Sequence, residues 1–144
     1  MNEVLIKQIQ SIVDPDIPEI SNLANISALI YQKKDINWAG FYFVSGDDLY
    51  LGPFQGDIAC THIIKGKGVC GTCLLNKETI IVPNVHEFKG HIACSSLSKS
   101  EIVVPVFRND KVVMVIDVDS PIFDRFKKDD QETLEEVAKI ISNL

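Results

Sequence analysis

Glu101-Ile102-Val103-Val104-Pro105-Val106-Phe107, Arg108-Asn109-Asp110 and Lys111-Val112-Val113-Met114-Val115-Ile116-Asp117-Val118-Asp119 read as two strands joined by a tight turn. β-Branched residues dominate both arms, and such side chains suit a pleated surface better than a helix. Side chains alternate between the faces of a strand, so Asp117 and Asp119 share one face, together with Val113 and Val115. Glu101 opens the preceding arm and lies across the hairpin from them. Three acids are therefore expected at one end of a sheet. Carboxylates crowded together raise the pKa of at least one member, which then holds a proton near neutral pH and donates it. The others suit a cationic group such as an α-ammonium. The plainer alternative is three strand-end acids in water.

Upstream, Trp38-Ala39-Gly40-Phe41-Tyr42-Phe43-Val44 is aromatic and β-prone, and Ser45-Gly46-Asp47-Asp48 turns it into Leu49-Tyr50-Leu51. Trp38 and Tyr42, four apart on a strand, share a face and wall an apolar pocket or fill the core. Gly52 to Gly71 is glycine-rich and polar, with short strand-like pieces such as Thr61-His62-Ile63-Ile64. Gly66-Lys67-Gly68-Val69-Cys70-Gly71-Thr72 opens a short helix, and Thr79 to Val82 is a brief strand. Asn84 to Ser100 is a long polar stretch without periodicity, holding two histidines and a cysteine. Stretches of that kind in compact domains tend to carry function.

Helical stripes flank this region. Val4, Leu5, Ile9, Ile12 and Val13 form one, ended by Asp14-Pro15. Asp16 with Glu19 reads as a capping box for a second helix running to about Lys34. Asp129 with Glu132 reads as another, with Leu134, Val137, Ala138 and Ile141 as the buried stripe of a final helix. The order predicts an α+β domain whose central antiparallel sheet carries the N- and C-terminal helices on one face.

The 144 residues fit one domain, 1–144. The hydrophobic fraction of 46% and charged fraction of 24% are those of a globular protein, which excludes disorder. A net charge of -6 argues against nucleic acid or an anionic membrane as partner. The N-terminus lacks the pattern of a signal peptide and no apolar run is long enough to span a bilayer, so the expected location is cytoplasmic. Four cysteines in a reducing compartment then point to buried thiols, a metal site or redox chemistry.

Cys70-Gly71-Thr72-Cys73 has the gap of a zinc site, but Cys60 and Cys94 stand alone rather than as a second pair, and no metal is expected. Cys73, followed by Leu74-Leu75, reads as a buried small hydrophobe. Cys60 and Cys94 each follow Ile-Ala in polar loops, where a thiol can meet a small molecule. His91, three residues before Cys94, sits where it could favour a thiolate.

These runs resemble the free methionine-(R)-sulfoxide reductases, a family built on the GAF fold. The matching pieces are Asn37-Trp38-Ala39-Gly40-Phe41-Tyr42, Leu51-Gly52-Pro53-Phe54-Gln55-Gly56, Ile58-Ala59-Cys60 and Gly66-Lys67-Gly68-Val69-Cys70-Gly71-Thr72. They continue with Gly90-His91-Ile92-Ala93-Cys94, Ser100-Glu101-Ile102-Val103-Val104-Pro105 and Asp117-Val118-Asp119-Ser120-Pro121, in order along nearly the whole chain. The resemblance implies reduction of the free amino acid methionine (R)-sulfoxide with no metal and no organic cofactor. It implies Cys94 as nucleophile, Cys60 as resolving thiol, Cys70 as a third cysteine able to join disulfide exchange, and a thioredoxin-like dithiol as partner. Glu101, Asp117 and Asp119 match the family's substrate-binding acids, and Trp38 and Tyr42 its aromatic wall. The habits of GAF domains imply a homodimer. Two positions depart from the pattern: Ser95 stands where an aspartate is usual, and Cys73 where a small apolar residue is usual. A non-catalytic GAF sensor and a zinc-binding structural domain are the competing readings.

Overall fold

In a computed structural model, residues 1–91 and 97–144 are described. Among the described residues four α-helices and six strands follow in the order α1 (Glu3–Ile12), α2 (Glu19–Tyr31), β1 (Trp38–Ser45), β2 (Asp48–Gly56), β3 (His62–Ile63), α3 (Gly68–Asn76), β4 (Ile80–Val82), β5 (Ser100–Arg108), β6 (Lys111–Ser120) and α4 (Lys128–Ser142), with a single 3-10 turn at Val85–Glu87 between β4 and β5. The strands make one antiparallel sheet in the order β3-β2-β1-β6-β5-β4.

The β5–β6 hairpin closes through Arg108 paired with Lys111. Its two turn residues, Asn109 and Asp110, have φ of 53° and 62°. Left-handed conformation at both central positions gives a hairpin twist that matches the strands, and Asn and Asp tolerate it better than most residues.

Alternation sorts the side chains onto two faces. Ala39, Phe41, Ile102, Val104, Val106, Met114, Ile116 and Val118 face α1, α2 and α4, and with Leu5, Ile9, Leu23, Ile26, Leu134 and Ile141 form the larger core. The terminal helices thus lie together on one face, as expected. The opposite face carries Trp38, Tyr42, Val103 and Val115, covered by α3 through Val69, Cys70, Cys73 and Leu74.

Five local expectations need correction. Val113 does not share the face of Asp117: the register slips between Val106 and Phe107, so Val112 joins the α3 side while Val113 packs against the helix-side core. A bulge puts two consecutive residues against one, and strict alternation fails there. Helix α2 begins at Glu19 behind Pro18 with no side-chain cap, not behind Asp16. Pro18 disfavours helical geometry at Ile17, which delays the start, and Asp16 instead donates its amide to Asp14 Oδ1. The same helix stops at Tyr31 rather than near Lys34. Helix α4 is capped by Asp130, which accepts from the Lys127 amide at 2.8 Å, rather than by Asp129 with Glu132.

Strand β2 also runs on to Gly56, beyond the expected Leu51, because an irregularity opposite Gly40 and Tyr42 lets pairing resume at Phe54. Gly40 permits this close approach: a Cβ there would lie 2.4 Å from the Phe54 Cβ.

Candidate functional site

The sheet register assembles the site. Trp38 pairs with Asp119, and Asp119 with Glu101, so an aromatic and two acids form one row across β1, β6 and β5. In the next row on the same face Gly40 pairs with Asp117, and Asp117 with Val103. Glu101 and Asp117 are buried and Asp119 partly so. Three carboxyls therefore meet under the α3 layer, not as strand ends in water.

Glu101 shares hydrogen bonds with both aspartates. That arrangement requires protons between the oxygens. Burial first, then the Asp119 charge, pushes Glu101 up to about 8. Burial and the neighbouring carboxylates hold Asp117 and Asp119 well above the usual carboxylate range. Asp117 Oδ1 and Asp119 Oδ1 remain buried without a hydrogen-bond partner among the described residues. Open acceptors in a buried site invite a cationic or protic ligand.

The walls come from both neighbouring layers. Trp38 stacks on Phe54 with centroids 5.2 Å apart and faces Tyr42 at 6.0 Å. Both polar tips are fixed: Trp38 Nε1 donates to the Asp57 carbonyl at 3.0 Å, and the Tyr42 hydroxyl to the Cys60 carbonyl at 2.9 Å. Gly56, opposite Trp38, has φ of 128°, and a Cβ there would lie 2.6 Å from the indole. Tyr42 thereby ties the loop carrying Cys60 to the sheet. The cleft is lined by Trp38, Tyr42, Cys70, His91, Ser98 and the three acids.

Cys70 rides on α3 directly above the acids. Its thiol donates to Asp117 Oδ2 at 3.2 Å and is fully enclosed. Burial, followed by the charges of Asp117 and Glu101, pushes that thiol up, the reverse of what an attacking thiolate needs. Cys73, one turn on, points instead to the Val103 carbonyl at 3.8 Å, and burial takes it to about 12. Both are free thiols. The close pair is thus divided: Cys70 belongs to the cleft and Cys73 to the core.

Of the expected residues, Trp38, Tyr42, Cys70, Glu101, Asp117 and Asp119 line one cleft, with the Cys60 carbonyl tied to Tyr42. Cys94 lies outside the described residues. His91, read from sequence only beside Cys94, stands with Nε2 3.7 Å from Glu101 Oε1. Burial lowers its pKa, so it presents a neutral ring at neutral pH. Ser98 and Asn37 were not singled out for any role. Ser98 accepts from Asn37 Nδ2 at 3.3 Å and is hydrogen-bonded to Asp119. Ser98 falls in a stretch without periodicity, so its sequence neighbours gave no signal of that contact.

Comparison with known proteins agrees with this architecture. The GAF domain family model matches residues 19–144. The free methionine-R-sulfoxide reductase of Escherichia coli is 47% identical over 82% of this chain and 72% of that protein. The structure of fRMsr of Staphylococcus aureus in its reduced form superposes with a TM-score of 0.94 at 50% identity, covering 98% of this chain and 92% of that one. The free methionine-R-sulfoxide reductase of Neisseria meningitidis, solved in complex with its substrate, gives 0.93 at 42% identity over 96% and 84% of the two chains.

Proposed function

The chain belongs to the free methionine-(R)-sulfoxide reductases, a family of GAF-domain proteins, and we propose that it reduces free L-methionine (R)-sulfoxide to L-methionine with thiol electrons. The observation that carries this reading is the cluster of Glu101, Asp117 and Asp119, buried and proton-sharing, facing the aromatic wall of Trp38 and Tyr42. Charged carboxylate of the cluster holds the α-ammonium, and the aromatic rings take the methyl end. A carboxyl still protonated near neutral pH protonates the sulfoxide oxygen, which eases its departure from sulfur.

Cys94 attacks the sulfoxide sulfur. The oxygen passes to Cys94 as a sulfenic acid, the methionine sulfur gains two electrons and leaves as thioether, and Cys94 loses two. Cys60 then attacks the sulfenic sulfur, an S–S bond forms and the oxygen departs as water. A thioredoxin-like dithiol reduces that disulfide and is itself oxidised. Cys70 joins disulfide exchange only as a secondary thiol, because its hydrogen bond to Asp117 and its raised pKa make it a poor nucleophile. The same reading takes residues 1–144 as one domain, cytoplasmic and homodimeric. Among the described residues no helix is long and apolar enough to cross a membrane.

The test is dithiothreitol-driven reduction of free L-methionine (R)-sulfoxide followed as methionine formed. Turnover by wild type and its loss in Cys94→Ser are expected. An inactive wild type that binds a small ligand equally well with every cysteine replaced would favour the sensor reading instead.

A further inference from the structure

The cleft floor holds a second chemistry. One donor atom each from Cys70, Glu101 and Asp117 lie within 4.8 Å of one another, and all three residues are buried. Cys70 Sγ and Asp117 Oδ2 are 3.2 Å apart, and His91 Nε2 stands 3.7 Å from Glu101 Oε1. A tetrahedral zinc, with bonds of about 2.3 Å to sulfur and about 2.1 Å to oxygen or nitrogen, sets neighbouring donors roughly 3.5 Å apart. The separations among Cys70, Glu101 and Asp117 come near that spacing, so small side-chain shifts would close the site around these three, while His91 stands outside the trio on the Glu101 side.

A second observation points to a ligand independently. Asp117 is only 6% exposed, and its Oδ1 has no hydrogen-bond partner among the described residues. Leaving such an atom unmet costs about 1–3 kcal/mol, and a cation meets it directly. The donor set selects the cation. One thiolate and two carboxylates in a compact group, with an imidazole beside them, suit zinc and its relatives, whereas magnesium and calcium want six or more oxygens.

We infer that Cys70, Glu101 and Asp117 form a binding site for a thiophilic divalent cation of the zinc type, with His91 beside Glu101 as the nearest further donor, and that an ion there excludes substrate from the acids. Exclusion rests on the proposed seat of the α-ammonium; binding does not. No electron moves. The ion displaces the thiol proton and any carboxyl protons to solvent, so its affinity rises with pH. The site is inhibitory rather than catalytic, since it occupies the groups that the reduction needs.

Cobalt(II) alone is the probe, added to the full chain kept reduced with a phosphine under anaerobic conditions. A thiolate-to-cobalt charge-transfer band in the near ultraviolet with tetrahedral visible bands is expected at one ion per chain. It is lost in Cys70→Ser, weakened in Glu101→Gln, and bleached by added methionine sulfoxide. Glu101→Gln serves also if Cys70→Ser does not fold. No band in wild type, or a band of unchanged strength in both variants, overturns the site. A band that needs these residues but resists methionine sulfoxide overturns the exclusion. The band is read before any methionine sulfoxide is added, and its bleaching is read in Cys94→Ser, which lacks the attacking thiol, so failure of the site is distinct from failure of the reductase reading.

Discussion

On the helix side of the sheet Phe41, Ile116 and Ile102 are sealed against α1, α2 and α4. One residue along the same strands, on the α3 side, stand Tyr42, Asp117 and Glu101. The first face is apolar where the helices meet the sheet, and the buried carboxyl on that side, Asp130 of α4, is paired with the N-terminal ammonium and Arg125. The second buries three carboxyls and a thiol against one another. Burial of ionisable groups opposes folding unless they are neutral or paired. The helix face therefore supplies the stability that the acid face consumes, and the period of two along a strand keeps the two roles apart.

Mutations on the two faces should separate cleanly. The largest effect is expected from Asp117→Asn, which removes an acid but keeps its volume. Turnover should fall by about 10²- to 10⁴-fold, the usual range for losing a general acid, while the denaturation midpoint stays or rises. Loss of stability with turnover retained would break the division. Phe41→Ala should do the reverse, costing about 3–5 kcal/mol in chemical denaturation with kcat per folded molecule unchanged.

The pH dependence of stability sharpens the same contrast. Glu101 rises from the ordinary 4.5 to about 8 in the folded protein, so the native state binds more protons than the unfolded chain between those values. Its contribution is complete below pH 4.5 and is lost as pH rises through about 8. Stability should fall with pH by up to about 1.4 kcal/mol per unit per proton in that window, and Glu101→Gln should flatten the slope. An equal slope in wild type and variant would remove Glu101 as the source. Tyr42→Phe, which deletes only the bond to the Cys60 carbonyl, should cost about 0.5–1.5 kcal/mol. An unaltered thermal midpoint there would show that the Cys60 loop does not depend on that tether.

The hairpin and its face were legible because alternation and β-branching are local properties of Glu101–Phe107 and Lys111–Asp119. They located the three acids on one surface before any contact was known. Sequence left open whether those acids stood in water, since the answer depends on α3 packing over Asp117 from forty-seven residues away. The bulge that moved Val113 was hidden for a related reason: a register slip is decided by the partner strand. Pro18 overrode an otherwise good capping pattern at Asp16, a competition of local signals that a simple motif does not rank. The contacts of Ser98 and His91 come from an aperiodic stretch, where position in space is set by what surrounds it.

The account turns on carboxyls that keep their protons at neutral pH inside a sheet face. Carbon-13 NMR titration of the side-chain carboxyls of Glu101, Asp117 and Asp119 reads this directly. The account predicts that Glu101 titrates near 8 and that both aspartates titrate well above the ordinary range. Titration of all three carboxyls at ordinary carboxylate values would contradict it.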